Sequence, residues 1–295
     1  MSDRTANAER GSPLPCAIRS LRARLNYPVR IALAWLALML MVAALADVIE
    51  PYSILAVDLR ARLLPPLTGA GLSAHWLGTD ALGRDVLSRL IASIRISLFL
   101  TLTASLLSAG IGTSLGFLAA HRRGLTEQAI LAVADVQAAV PFPIFALTVM
   151  AVLGHGLLPA IGLTSLCGWE RHARIARGLA LTAEAQDYVA AARQLGARPL
   201  HVYLRHILPN VVATLIVLMT LVIPEVIMLE SALSFLGLGV QPPLTSLGAM
   251  IGYGREYLTR APWILMLPAL IIVLTTLAVS IVGDWLRDGL DARSG

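Results

Sequence analysis

The residues that could do chemistry in this chain are six histidines, two cysteines and eighteen carboxylates, and their spacing builds no catalytic site. No two histidines stand four residues apart, and none has a cysteine or carboxylate at metal-ligand spacing. No G-x-S-x-G or G-x-G-x-x-G pattern stands in the structural context that its chemistry needs. We therefore expect no catalytic residue and no metal site. The histidines are His75, His121, His155, His172, His201 and His206.

The basic residues limit what the chain can bind. All 23 are arginine, and a phosphate-binding loop needs a lysine on the β- and γ-phosphates. If ATP drives this protein, ATP and Mg²⁺ must bind to a partner subunit, and this chain should carry no cofactor. The arginines also lack interleaved aromatic residues, so we expect no nucleic-acid binding.

Two carboxylates, Asp135 and Glu225, fall inside apolar stretches where a charge is costly. Pro141 and Pro143 follow Asp135, and they must kink or unwind the helix and free carbonyl groups for a cavity. One hypothesis is that these residues line a translocation path. The alternative is that each carboxylate faces a neighbouring helix and is bonded there.

The composition shows what kind of element must position these residues. Hydrophobic residues make up 57% of the chain and charged residues 14%, with a mean hydropathy of +0.76. A surface with so little charge has to be covered by lipid, where every backbone polar group needs an internal partner. The apolar runs are long and do not alternate with polar residues, which favours helices over a β-barrel. We predict an all-α, polytopic membrane protein.

Six apolar segments approach the roughly 20 residues that a bilayer requires. We predict spans at Arg30–Val48, Ile96–Ala120, Ala129–Leu153, Leu157–Cys167, Val211–Leu229 and Trp263–Val282. This divides the chain into a basic tail (1–29), a first span (30–49), an extracytoplasmic segment (50–95), a core (96–284) and a C-terminal tail (285–295). The basic tail has the spacing of a short interfacial helix, or is a disordered arm. The core includes a cytoplasmic loop (185–210) and a second extracytoplasmic segment (230–262).

The arginines indicate the orientation. With the N-terminus inside, the cytoplasmic segments hold 16 arginines and the outer segments hold seven. Because cytoplasmic loops carry the excess of basic residues, we predict that both termini lie inside.

The cytoplasmic stretch Ala185–Asn210 has the pattern of a helix, a turn and a second helix. Helix-forming residues run from Tyr188 to Leu195, and Gly196 stands where a left-handed residue would end that helix. Pro199 suits the first turn of a second helix. The alanines at 190, 191 and 192 leave a smooth face that another protein could approach closely, so we interpret the loop as a docking element.

This loop resembles the coupling loop of binding-protein-dependent ABC permeases. The residues that match the family pattern are Ala191, Ala192, Gly196, Leu208 and Pro209, while Ala190 replaces the usual leading glutamate. The resemblance assigns ATPase coupling to these residues and to their neighbours Tyr188 and Arg193. The replacement of the glutamate removes one possible charged contact with the ATPase.

Three further stretches resemble the dipeptide/oligopeptide/nickel permease family, specifically its second permease subunit. They are HWLGTDALGRDVLSRLIASIR from His75, LESALSFLGLG from Leu229 and GDWLRDGLDAR from Gly283. The resemblance implies a type I ABC importer fold, with a gate or binding-protein contact at Asp80, Arg84, Asp85, Gly237 and Gly239. The residues alone also allow a helix start held by local hydrogen bonds in the first stretch.

Taken together, these features predict a permease subunit of an ATP-driven importer in the bacterial plasma (inner) membrane. The resemblance implies peptide-like solutes or metal chelates as cargo. It implies three kinds of partner beside the lipid: a second homologous permease, two ATP-binding cassette ATPase subunits and an extracytoplasmic solute-binding protein. The alternative is an ion-coupled secondary transporter or channel, and a membrane enzyme is a third possibility that lacks a catalytic constellation.

Overall fold

The computed structural model describes residues 26–67 and 75–294. Most of these residues are helical and none forms a strand apart from one isolated antiparallel bridge between Thr79 and Asp85, so the all-α prediction is confirmed. Most of the predicted basic tail, and with it the predicted interfacial helix, lies outside the described residues.

Twelve α-helices follow one another in this part of the chain. They are α1 (Tyr27–Ala44), α2 (Ala46–Ile49), α3 (Val86–Arg122), α4 (Gly124–Ala139), α5 (Phe142–Leu153), α6 (Leu157–Thr164), α7 (Trp169–Glu184), α8 (Asp187–Gln194), α9 (Pro199–Val202), α10 (Leu208–Phe235), α11 (Leu247–Gly254) and α12 (Trp263–Ser294). Short 3₁₀ turns occur at Leu59–Ala61 and Arg255–Tyr257, and a π-helical turn at Tyr203–Ile207 joins α9 to α10.

Four of these helices are long and apolar enough to cross a membrane: α1, α3, the continuous helix Pro199–Phe235 and α12. The pair α4–α5 forms a fifth candidate span, which is bent by 96°. The bend confirms the predicted effect of the prolines. Helix α4 ends at Ala139 and Pro141 caps α5, since a proline has no N–H for the helix before it.

The predicted fourth span, Leu157–Cys167, is wrong as a single element. Helix α6 has only eight residues, and the chain then turns through Gly168 in the left-handed conformation (φ +81°). It continues as α7, which packs along the C-terminal part of α3. The sequence reasoning missed α7 because its charged residues resemble a polar loop. Three arginines counted with the cytoplasmic loop therefore lie on a packed helix: Arg171, Arg174 and Arg177.

Two glycines of α3 allow α7 to approach closely. A Cβ atom built on Gly112 would lie 2.4 Å from the carbonyl oxygen of Trp169, and one on Gly116 would lie 2.4 Å from that of Ala173. Only a glycine leaves room for such backbone contact, as at other tightly packed membrane helices. The contact fixes the position of α7 along α3. It also fixes the direction in which the α7 arginines project.

The remaining long helices pack around α3. Helix α12 contacts α1, α10 and α11, and Trp35 Nε1 of α1 donates a 3.2 Å hydrogen bond to Thr275 Oγ1 of α12. Near the start of α3, a buried apolar cluster joins these helices through Met39, Leu90, Met250 and Ile264. The bundle thereby holds the loop 185–210 at one end of α10 and the segment 236–246 at the other.

Candidate functional site

The predicted docking loop is an ordered helix–turn–helix. Helix α8 ends in a double hydrogen bond: Gly196 N–H donates to the Arg193 carbonyl (3.0 Å) and Ala197 N–H to the Ala192 carbonyl (3.1 Å). Gly196 has φ +79°, the left-handed conformation that closes this kind of C-terminal cap. Pro199 then begins α9. The predicted roles of Gly196 and Pro199 in the backbone are confirmed.

The outer surface of this loop is exposed in the part of the chain that the structure describes. Ala190 and Ala191 are exposed, Ala192 is half-buried, and Leu195 is 90% exposed. Tyr188 is partly exposed and its hydroxyl accepts a 3.2 Å hydrogen bond from Asn210 Nδ2. A smooth alanine face beside an exposed leucine is suited to contact with another protein.

The inner surface of the loop is anchored to the bundle. Val189, Val202 and Ile207 are fully buried in a cluster with alanines of α7. Leu208 is half-buried against this cluster, and Pro209 lies exposed in the first turn of α10. These contacts make the loop an extension of α7 and α10.

A carboxylate that sequence reasoning missed, Glu184, ties the loop to three elements. It accepts hydrogen bonds from Arg193 Nη2 (2.5 Å), from Tyr203 Oη (2.8 Å) and from Arg123 Nη2 (3.2 Å). Arg193 is therefore held inside the loop by an ion pair. Glu184 ends α7, so it could have been found only once α7 was recognised as a helix.

The two carboxylates inside apolar stretches pair with arginines of α7. Glu225 Oε1 lies 2.8 Å from Arg171 Nη1, and Asp135 Oδ1 lies 3.4 Å from Arg174 Nη2. A third pair joins Glu127 of α4 to Arg177. The three arginines are spaced by three residues and lie on one face of α7, so each turn of the helix contributes one pair. We call this set the α7 ion-pair ladder.

The ladder answers the question of which neighbours these carboxylates have. Each faces a neighbouring helix, as the second hypothesis stated, yet the Asp135 side chain remains 73% exposed and that of Glu225 45% exposed. A charge left open on a bundle in a membrane faces water or another protein rather than lipid tails. The surface of the ladder is thus the side of the chain suited to a path or to a partner subunit.

Of the three polar residues predicted to form a gate or a binding-protein contact near the start of α3, Asp80 and Asp85 are buried and Arg84 is half-buried. The Asp80 carboxylate accepts hydrogen bonds from the backbone N–H groups of Leu82 (2.8 Å) and Arg84 (2.9 Å), from Arg84 Nε (2.7 Å) and from Arg89. Burial raises the pKa of Asp80, but Arg89, Arg84 and the two N–H groups outweigh it and hold the pKa below its usual value. Asp80 is therefore ionised and bonded within the chain.

Asp85 caps α3. Its carboxylate accepts hydrogen bonds from the backbone N–H and the hydroxyl of Ser88 (both 2.7 Å), and it lies 3.0 Å from His75 Nδ1. The helix therefore begins at Val86, ten residues before the predicted span. The local hydrogen bonds that the residues alone allowed at this point are present.

The glycines of the predicted gate end α10. Gly237 (φ +81°) closes the same cap as Gly196, with Gly237 N–H donating to the Ser234 carbonyl and Leu238 N–H to the Leu233 carbonyl. Gly239 lies so close to Ser234 that a Cβ atom would stand 1.9 Å from its hydroxyl oxygen. These glycines turn the chain sharply from α10 into the segment 236–246.

Sequence reasoning also missed Glu230, which is buried beneath this turn. Its carboxylate is 2.8 Å from Ser234 Oγ and 3.5 Å from Ser97 Oγ of α3. Ser97 Oγ in turn accepts from the N–H of Leu247 at the start of α11, so the network joins three helices. The stretch LESALS did carry the signal, a carboxylate followed by serines at helical spacing. Among the described residues, no three His, Cys, Asp or Glu side chains come together as metal ligands.

Comparison with known proteins identifies the family. The family described as "Binding-protein-dependent transport system inner membrane component" matches residues 112–295, which include the ladder, the loop and α10 to α12. The chain belongs to this family. It is 37% identical to the oligopeptide transport system permease protein OppC of Bacillus subtilis, over 92% of this chain and 88% of the relative.

Other relatives of similar identity are named as permeases for other solutes. The nickel transport system permease protein NikC of Escherichia coli K12 is 37% identical, over 90% of this chain and 94% of the relative. The glutathione transport system permease protein GsiD of Pectobacterium atrosepticum is 38% identical, over 75% of this chain and 73% of the relative. The predicted resemblance to the oligopeptide, dipeptide and nickel permeases is confirmed.

The fold is also found in a solved transporter. The inward-facing MetNI methionine ABC transporter has a chain that matches with a TM-score of 0.55 at 19% identity, over 69% of this chain and 97% of that chain. This similarity confirms the importer fold. The chain is therefore a permease subunit of an ABC importer and a multi-pass protein of the inner membrane. The alternative of an ion-coupled transporter has no support among these relatives.

Proposed function

We propose that this chain forms one half of the translocation path of an importer for peptide-like solutes or metal chelates. A second, homologous permease supplies the other half, and two ATPase subunits bind and hydrolyse the ATP. The names of the relatives, which are permeases for oligopeptides, glutathione and nickel, support this class of cargo. The absence of lysine supports a separate ATPase, because a phosphate-binding loop needs that residue.

The observation that carries the proposal is the construction of the loop 185–210. It presents the exposed face of α8 on one side and is buried against α7 on the other. Its second half continues without a break into the helix Pro199–Phe235, whose 37 residues span about 55 Å at 1.5 Å per residue. A push on α8 would therefore move α7 and α10 as well, which is the coupling that an ATP-driven importer requires.

The α7 ion-pair ladder supports the shared path. Its three carboxylates are balanced by three arginines, and two of the pairs, Arg171–Glu225 and Arg174–Asp135, are exposed in the isolated chain. A second permease packed across this surface would enclose them beside water. In that position Asp135, Glu225 and the bend at Pro141 and Pro143 would line the path, as one of the two hypotheses from the sequence stated.

The arginines still favour a cytoplasmic loop. Without Arg171, Arg174 and Arg177, which lie on α7, thirteen arginines remain on the predicted inner side and seven on the outer side. The bias has the same sign as before, so we propose that both termini and the loop lie inside, with α6 and α7 together crossing the membrane as a sixth, broken span. This is the side on which ATP is available.

Co-purification tests the docking face. Ala191→Trp places a bulky side chain on exposed α8, and we expect it to reduce recovery of ATPase subunits with the tagged permease about tenfold. Leu125→Trp is the matched control, because Leu125 is also exposed and follows Arg123 at the end of α3. Equal recovery of ATPase with both variants would show that α8 is not the docking face.

Cysteine labelling tests the orientation. In a chain with Cys16→Ser and Cys167→Ser, the variant Leu195→Cys carries one thiol at a 90% exposed position. An impermeant maleimide should label it in inside-out vesicles and not in right-side-out cells. Labelling from outside the cell would refute the proposed orientation and, with it, the coupling role of the loop.

A further inference from the structure

A cavity of about 400 Å³ opens at the end of the bundle opposite the docking loop. Three parts of the chain form its walls: the start of α3 with the residues before it (80–89), the end of α10 with its turn (234–241), and α11 with the following 3₁₀ turn (249–257). Arg62 adds a fourth side. We call this cavity the arginine pocket.

The pocket carries an excess of positive charge. Its walls contain four arginines, at positions 62, 84, 89 and 255, and two carboxylates, Asp80 and Glu256. Arg84 and Arg89 share the single carboxylate of Asp80, so this buried group keeps one net positive charge. Arg62 and Arg255 are exposed at the mouth. The pocket is therefore complementary to an anionic group.

Exposed apolar side chains surround this charge. Leu82, Leu236 and Tyr253 line the pocket with large exposed fractions, and the Arg255 guanidinium lies 5.3 Å from the centre of the Phe235 ring. Arginine and aromatic residues beside other apolar side chains are typical of the energetically important centre of a protein–protein interface. A small hydrated anion would gain nothing from these leucines, whereas a protein surface would bury them.

We propose that the arginine pocket receives an acidic side chain of the extracytoplasmic solute-binding protein. This inference rests on the proposed function, which places this end of the bundle outside the membrane. The carboxylate enters between Arg255 and Arg62, and the surrounding surface of the binding protein covers Leu82, Leu236 and Tyr253.

The pocket lies at one end of the helix that begins at the docking loop. One wall is the turn that ends α10, and the other end of the same continuous helix is the docking loop. A carboxylate seated between Arg255 and Arg62 would also act on this turn, because the Arg255 guanidinium lies 5.3 Å from the ring of Phe235 at the end of α10. Docking of the binding protein thereby acts on the helix that the ATPase moves.

Charge reversal tests the proposal in the complete transporter. The probe is the purified solute-binding protein of the same transport system, loaded with solute, and its affinity is measured for the assembled complex in nanodiscs. Arg255→Glu and Arg62→Glu should each weaken this affinity about tenfold or more, since a close charge pair at an interface becomes a repulsion. Arg260→Glu is the matched control: Arg260 is exposed and near in sequence but does not line the pocket.

Two further measurements complete the test. Replacing the matching acidic residue of the binding protein by arginine should restore affinity for Arg255→Glu, and recovery of ATPase subunits with that variant shows that it still folds. Unchanged affinity in both pocket variants would overturn the proposal. So would unchanged affinity with a raised KM for uptake, because the carboxylate would then belong to the solute. If the unaltered permease bound neither the ATPase subunits nor the solute-binding protein, the proposed function itself would be refuted.

Discussion

Replacing Gly196 tests whether the shape of the docking loop matters for coupling. Gly196 has φ +79°, and a Cβ atom built on it meets no atom within 4 Å, so any effect of a substitution comes from the backbone conformation and not from a clash. Holding a non-glycine residue in the left-handed conformation costs about 1–2 kcal/mol of conformational energy, and for a β-branched residue this energy is at the upper end of the range or above it. Asparagine tolerates this conformation far better. The variants Gly196→Val and Gly196→Asn thus differ in backbone strain at the same open position.

The strain predicts a measurable loss of ATPase affinity. The Gly196→Val variant must adopt the strained native turn before it can dock, so the strain energy of about 2 kcal/mol is subtracted from its binding free energy. At 1.4 kcal/mol for each factor of ten, this lowers the apparent affinity for the ATPase subunits by roughly 30-fold. Gly196→Asn should lose less than about fivefold. Titration of purified ATPase onto permease in nanodiscs gives both values, and solute uptake should fall in the same order. Equal affinity for the two variants would refute the argument that the left-handed turn presents α8.

Two further predictions concern the packing of the bundle. Gly112→Ala should lower the melting temperature of the purified permease, because the new Cβ atom would meet the Trp169 carbonyl. Gly110→Ala is the control and should not lower it, since its Cβ atom enters open space. Equal melting temperatures for the two variants would show that α3 and α7 can separate at no cost in stability. Glu230→Ala should destabilise the protein by about 1–3 kcal/mol because it removes the acceptor of buried serine hydroxyls. Glu230→Gln, which keeps an acceptor oxygen, should lose less in the same thermal assay, and the reverse order would contradict the proposed network.

The sequence predicted elements whose causes are local. Long apolar runs give long helices in a membrane, and the bend near Pro141 follows from the missing N–H group of proline. The cap at Gly196 follows from the same kind of local rule. Each of these features depends on residues within a few positions, so the pattern of the chain was sufficient.

Helix α7 could not be predicted in this way, because its stability depends on distant partners. Its arginines look like loop residues until Glu225 and Asp135, 54 and 39 positions away, are brought beside Arg171 and Arg174. Its close contact with α3 depends on Gly112 and Gly116, and small residues alone do not reveal which helix they approach. The ladder therefore emerged only from the three-dimensional arrangement.

A left-handed glycine cap adjoins each end of the helix Pro199–Phe235, and this arrangement is the structural basis on which one helix could contact both partners. At one end α8 closes on Gly196 and at the other α10 closes on Gly237, and both glycines have a left-handed φ and open space around the missing side chain. A left-handed cap stops a helix abruptly and fixes the direction of the chain beyond it. The helix between them packs against α3 and α12, and we propose that these contacts let it transmit a displacement from one end to the other. On this proposal, a displacement imposed at the α8 face would reach the wall of the arginine pocket, and docking of the binding protein would act on α8 through the same helix.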